Sequence, residues 1–328
     1  MLLTVLLTFL ALLYSLGEAQ RPREFFALFL LMETGLIGVY STLDLLLFYL
    51  FWELTLVPMY FVIGGWGHER RLEAALKFFL YTRAGSLAML LAILALYLGV
   101  TPHTFDLAAI VAAKPYAGVG LGPALVLLGF FIGFAVKLPV IPLHPWLPDA
   151  HTEAPTAGSV LLAGVLLKMG GYGFLRFALP TVPGAFDAWA APIAGLAVLS
   201  AIYGALVAMA QRDLKRLVAF SSVNHMGYVL LGIAAAAALG AAPADRAAAA
   251  TGAVYQMVAH GLVTGCLFFL VGMLQERTGT REIAKLSGLW ALLPGYGALL
   301  AFASFASLGL PALAHFAAEV QIVLGALG

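Results

Sequence analysis

The chain has 328 residues, 63% of them hydrophobic and only 10% charged, with a mean hydropathy of +1.01. Water-soluble domains run nearer half apolar and a quarter charged, so a soluble enzyme and a nucleic-acid-binding module are both excluded. The net charge of +1 offers no field for polyanions, and the single Cys266 leaves no thiol partner for a disulfide, a zinc knuckle or an iron–sulfur centre.

Apolar runs suited to helices of about 20 residues follow one another at 1–17, 25–42, 44–64, 73–99, 119–148, 155–179, 188–210, 216–239, 250–275 and 294–328. They lack the alternation of an outer-membrane barrel, so an all-α polytopic membrane protein of about ten transmembrane segments is expected. The first run has no positive n-region and many spans follow it, so it reads as a transmembrane helix with its loop over 1–24 rather than as a signal peptide. The fifth and tenth runs are too long for one straight span. The fifth carries Pro139, Pro142, Pro145 and Pro148, and the tenth carries Gly309 and Pro311. Each proline removes an amide donor and crowds the preceding turn, so both runs are expected to be discontinuous helices, which membranes tolerate where they are buried in protein or line a wet cavity. Runs two to six place the broken helix fourth, and so do runs seven to ten. This predicts an inverted pair of five-helix repeats at 25–180 and 188–328, the second lacking its last helix. No P-loop occurs, and Gly118-Val-Gly-Leu-Gly122 lacks the full dinucleotide fingerprint, so no cofactor or metal is expected in this chain.

Orientation follows from the cations. The loops after runs one, three, seven and nine carry Arg21, Arg23, Arg70, Arg71, Arg212, Lys215, Arg216, Arg277, Arg281 and Lys285, whereas the opposite set carries Lys114, Arg176 and Arg246. The rich side should be cytoplasmic, placing the N-terminus outside.

Several ionisable residues fall inside the spans: Lys77, Arg83, Lys137 and Lys168 among the bases, Glu33, Glu53 and Glu319 among the acids, and His225 and His260. A charge near the bilayer centre costs at least about 2.5–3.5 kcal/mol, so it is rarely kept without a use. Glu53 and Lys168 are roughly 13–20 Å deep at 1.5 Å per residue, and Lys137 falls where the fifth helix breaks. For Glu53 and Lys137 at an assumed separation of about 6 Å and a dielectric of about 20, the attraction is roughly 2.8 kcal/mol, enough to decide whether the lysine holds its proton. Lys168, one helix away, offers a place for that proton, and His260 and Glu319 extend the row. Blander readings stand beside this one. Glu53 and Lys137 also fit a static packing pair, His225 a core histidine bonded to Ser221, Ser222 or Asn224, and His144 and His151 backbone caps; Lys77 and Arg83 also fit snorkelling to the rim.

The strings Phe51-Trp-Glu53-Leu-Thr-Leu-Val-Pro58-Met-Tyr60 and Lys137-Leu-Pro-Val-Ile-Pro-Leu-His144-Pro-Trp146-Leu-Pro-Asp149-Ala-His151 resemble those of the antiporter-like membrane subunits of respiratory complex I. So do Leu166-Leu-Lys168-Met-Gly-Gly-Tyr172-Gly, Asp213-Leu-Lys-Arg-Leu-Val-Ala-Phe-Ser221-Ser-Val-Asn-His225, Gln256-Met-Val-Ala-His260 and Gln275-Glu-Arg277-Thr-Gly-Thr-Arg281. The first and last of these strings are most similar to the M-type members. The resemblance implies a proton-translocating subunit of NADH:quinone oxidoreductase in a bacterial cytoplasmic membrane, with other membrane subunits and neighbouring antiporter-like subunits as partners and redox chemistry held elsewhere. It gives Glu53 the role of essential carboxylate, Lys137 that of its partner, Lys168 that of central lysine and Glu319 that of the acid on the second broken helix. Glu33 matches an additional acid, and His225 and His260 fall on the family's histidine positions. Family members have about fourteen helices, so this chain is expected to lack two at each end. Ala318 stands where glycine is usual and Arg83 where a neutral residue is common. A subunit of a multisubunit cation/proton antiporter or membrane-bound hydrogenase is the alternative, and a scaffold whose buried charges only pair helices is a third reading.

Overall fold

The structure, a computed structural model, describes residues 1–18 and 20–328. Its helices are α1 (Leu2–Tyr14), α2 (Pro22–Ser41), α3 (Leu45–Trp66), α4 (Arg71–Leu98), α5 (Leu107–Ala113), α6 (Leu121–Lys137), α7 (Trp146–Glu153) and α8 (Thr156–Thr181). After these come α9 (Pro183–Met209), α10 (Leu214–Ala237), α11 (Pro243–Thr278), α12 (Pro294–Ser307) and α13 (Ala314–Leu327). Among the described residues, seven helices (α2, α3, α4, α8, α9, α10 and α11) are long and apolar enough to cross a membrane. The first, fifth and tenth predicted runs are represented by shorter helices, and the seven-residue α5 lies in a stretch read from sequence as loop.

Local chemistry sets the helix ends. Pro22, Pro183, Pro243 and Pro294 open α2, α9, α11 and α12, where a missing amide proton costs nothing. Asp44 accepts from the amides of Leu46 and Leu47 to cap α3, and Asp213 accepts from Lys215 and Arg216 to cap α10. These two caps share a further pattern. Asp44 bridges to Asp106 through Leu45 N to Phe105 O and Leu107 N to Leu43 O. Asp213 bridges to Glu282 through Leu214 N to Arg281 O and Ile283 N to Arg212 O.

In the fifth run α6 stops at Lys137 and α7 begins at Trp146. Backbone groups freed there find partners within the protein: Trp146 Nε1 donates to Val136 O at 2.9 Å, and Ile141 N donates to Ser200 Oγ at 2.9 Å. In the last run α12 stops at Ser307, Gly309 takes φ +70°, and α13 begins at Ala314. The polar C-terminal end of α7 is gripped by cations and amides: Thr152 O by Arg281, Glu153 O by His68 N, and Ala154 O by Lys215.

The hub is α8. Its most apolar stretch is 89% buried, against 28% for α9, so α9 presents most of its surface outward while α8 is enclosed by α1, α2, α3, α6, α10 and α11. A Cβ at Gly170 would lie 2.5 Å from Phe134 O and 2.9 Å from Leu138 N, so glycine lets α8 rest directly on the break after Lys137. Two turns of α8, Leu162–Leu166 and Phe174–Ala178, are π-helical and flank Lys168.

Candidate functional site

The polar centre forms where α8, α10, α11 and α13 meet. The first π turn directs side-chain donors onto its carbonyls, Lys168 Nζ onto Ala163 O and Tyr40 OH onto Val165 O at 3.0 Å. Such turns recur at functional sites because they rotate the side chains that follow. Lys168 Nζ lies 2.6 Å from His260 Nδ1. Either nitrogen can donate to the other, depending on which carries the proton.

Beyond His260 the groups stay contiguous. The rings of His260 and His225 are 5.5 Å apart, those of His225 and His315 4.4 Å, and those of His260 and His315 6.3 Å. His225 Nδ1 is 3.5 Å from Glu319 Oε1, Gln256 Nε2 donates to the same oxygen at 3.1 Å, and Ser307 Oγ is 3.2 Å from His225 Nε2. His315 is tied by Nδ1 to Ala306 O at 2.8 Å. His260, His315 and Gln256 are fully buried, and His260 Nε2, His315 Nε2 and Gln256 Oε1 have no hydrogen-bond partner among the described residues. Orphaned polar atoms of this kind are costly in an apolar interior, so the cluster is not explained by packing alone.

The other half is arranged differently. Glu53 on α3 is paired with Arg83 on α4 and not with Lys137. Lys137 Nζ is buried without a hydrogen-bond partner, 5.7 Å from the ring centroid of Trp52 and 5.5 Å from that of Phe78. The static Glu53–Lys137 pair is therefore corrected: a carboxylate in an apolar setting takes the nearest cation, and Arg83 offers it. Snorkelling is corrected too, since Arg83 turns to Glu53 and Lys77 Nζ to Asp149 Oδ2 at 2.6 Å, where Arg216 joins at 3.2 Å. His144 and His151 cap no backbone here. His151 stacks on Phe268 at 4.6 Å with both ring nitrogens unpartnered, and His144 packs against Tyr203. Nor do the neighbouring hydroxyls and amide hold His225: Ser221 and Ser222 donate to Val218 O and Asn224 to Ala201 O. Glu33 on α2 is half-buried and joins no ion pair among the described residues.

On the face rich in cations, a cavity of about 540 Å³ is lined by His68, Glu153, Asp213, Gln275 and Arg281 among others. His68 sits in the α3–α4 loop, outside the spans. Burial first, then Lys215 and Arg281, push its pKa down to about 4, against an opposing pull from Asp213.

The profile of the family described as NADH:quinone oxidoreductase/Mrp antiporter, transmembrane, matches residues 42–328. The chain belongs to this family. It is an integral membrane protein. It is 48% identical to NADH-quinone oxidoreductase subunit M of Pseudomonas aeruginosa, over 99% of this chain and 64% of that protein. It is 47% identical to the subunit M of Escherichia coli K12, over 98% of this chain and 63% of that one. The chain thus spans just under two thirds of the length of these relatives. A chain of respiratory complex I from Thermus thermophilus superimposes with a TM-score of 0.89 at 38% identity, covering 99% of this chain and 66% of that chain. A chain of an Mrp complex from Dietzia shares the fold, with a TM-score of 0.84 at 23% identity.

Residues that the sequence reading left out of the site are His315, Gln256, Ser307 and Arg83. Helical spacing carried a signal for two of them: Gln256 lies four residues before His260 and His315 four before Glu319, so each shares a face with a chosen residue. Nothing in the sequence pointed to the π turns.

Proposed function

We propose that this chain conducts protons across the membrane as a subunit of an NADH:quinone oxidoreductase, driven by redox chemistry in other subunits. The observation that carries the reading is the contiguous file from Lys168 through His260 and the His225–His315 pair to Glu319. Each link brings a nitrogen or oxygen that can hold a proton near the next, with no metal ion needed. Glu53 and Lys137 supply the first half, Lys168 connects it to the second, and Glu33 is an outlying acid that completes the set implied by the sequence.

The reading extends to architecture. The matched bridges at Asp44–Asp106 and Asp213–Glu282 support two inverted repeats, 25–180 and 188–328, each with a discontinuous helix at its fourth place. Ten spans follow if α6 with α7 and α12 with α13 each count as one crossing. The cation-rich loops face the cytoplasm and the N-terminus faces outward. The partners are other membrane subunits, among them neighbouring antiporter-like chains, in a bacterial cytoplasmic membrane. Nicotinamide, quinone and iron–sulfur chemistry belongs to other subunits.

Replacing Lys137 or Lys168 by alanine in the assembled complex should abolish or sharply reduce quinone-linked acidification of inverted vesicles. Normal pumping in both variants would remove the reading. Cation/proton antiport is the second reading, favoured by the family's shared description. It requires uptake that depends on sodium or potassium and persists without NADH.

A further inference from the structure

We propose that Arg83 is a second counter-cation for Glu53, and that this carboxylate is a two-position switch between Arg83 and Lys137. The inference rests on the proton-conduction reading and deepens it.

The geometry leaves one acid between two bases. Glu53 Oε2 accepts from Arg83 Nη1, while Glu53 Oε1 is buried without a partner. Across the same α3–α4–α6 junction, the Lys137 ammonium is 1% exposed and also without a hydrogen-bond partner. An unpaired acceptor and an unpaired donor of opposite charge, both desolvated in one packed region, are the two halves of a contact that is open in this conformation. Lys137 is not stranded meanwhile, because the rings of Trp52 and Phe78 face its charge. Trp52 precedes Glu53 in the chain, so movement of that carboxylate and repacking of the Lys137 slot occur on one turn of α3.

The two cations differ in a way that suits a switch. The Arg83 side chain is 43% exposed, so when Glu53 leaves, its guanidinium can find water, a headgroup or a neighbouring chain. Lys137 has no such recourse. Tyr49, one turn before Glu53 on α3, is buried on the same helix. With Glu53 on Arg83 no hydrogen bond holds the charge of Lys137; with Glu53 on Lys137 it is held directly. Arg83 is thus a positioning residue, acting through Glu53.

The test is structure determination by electron cryomicroscopy, together with vesicle acidification, on the assembled complex carrying Arg83→Leu or Arg83→Lys. In Arg83→Leu the Glu53 carboxylate should lie within hydrogen-bond distance of Lys137 Nζ, and pumping should fall about tenfold, the effect of one unit in a proton equilibrium. In Arg83→Lys the carboxylate should remain on residue 83 and pumping should stay within about threefold of the parent, well inside that unit. Glu53 keeping away from Lys137 in Arg83→Leu overturns the proposal, as does equal pumping by the two variants. If Arg83→Leu does not assemble, Arg83→Gln carries the same expectation; failure of both while Arg83→Lys assembles makes Arg83 a structural counter-ion and also overturns it. Normal pumping in Lys137→Ala would instead remove the conduction reading, whereas the position of Glu53 is read whether or not protons move.

Discussion

Replacing His260 by alanine probes the junction on which the polar file depends. Lys168 Nζ donates to Ala163 O and lies 2.6 Å from His260 Nδ1. A hydrogen bond involving a charged group is worth about 1.5–3 kcal/mol net, so His260→Ala should lower the occupancy of the shared-proton state by a factor of about ten to 150. The same substitution breaks the file, since the His225 ring stands 5.5 Å beyond His260 and, among the described residues, no other side chain hydrogen-bonds Lys168. Inverted vesicles with equal amounts of assembled complex, energised with NADH, should acidify at about a tenth of the parental rate or less. Thr264→Val is the control. Thr264 lies one turn further along α11, its hydroxyl is buried and unpartnered, and its loss should leave the rate within about twofold. Parental acidification by His260→Ala would refute the reasoning, as would equal loss in the two variants.

Close packing at the break makes a second prediction. Gly170→Ala would drive a methyl into Phe134 O and Leu138 N and should destabilise the protein by about 1–3 kcal/mol. Gly195→Ala on α9 meets nothing within 4 Å and should be neutral or stabilising by about 1 kcal/mol, so thermal unfolding in detergent should separate the two. Gly309→Ala forces φ +70° on an L-residue and puts its Cβ 2.8 Å from Glu319 Oε2; pumping should fall more than thermal stability does. His68 gives a pH dependence: its folded pKa is depressed to about 4, so the neutral form's contribution is present above about 6.5 and lost as pH falls through that window toward 4. His68→Gln should flatten the acid limb of the melting temperature between those values, and an unchanged slope would contradict the assignment.

What could be read from sequence was whatever depends on composition and on neighbours in the chain. Continuous apolar runs force helices because lipid offers the backbone no hydrogen bonds. Pro139, Pro142 and Pro145 come close enough together to disfavour a continuous helix after Lys137, the last helical residue of α6. Mid-span charges are expensive enough to mark themselves, and Lys168, His260, His225 and Glu319 were chosen on that ground and do lie together.

Partnership was decided only in three dimensions. An ion pair depends on distance across helices, which linear spacing does not encode. Opposite charge and the family resemblance both couple Glu53 to Lys137, yet packing of α4 against α3 brings Arg83 to Glu53. His315 was passed over because its value comes from standing 4.4 Å from His225 on another helix. The π turns around Lys168 lie where α8 is enclosed by its neighbours. The amino-acid order determined which groups must be kept from lipid; the packing of α3, α4, α8, α10, α11 and α13 determined which of them come together.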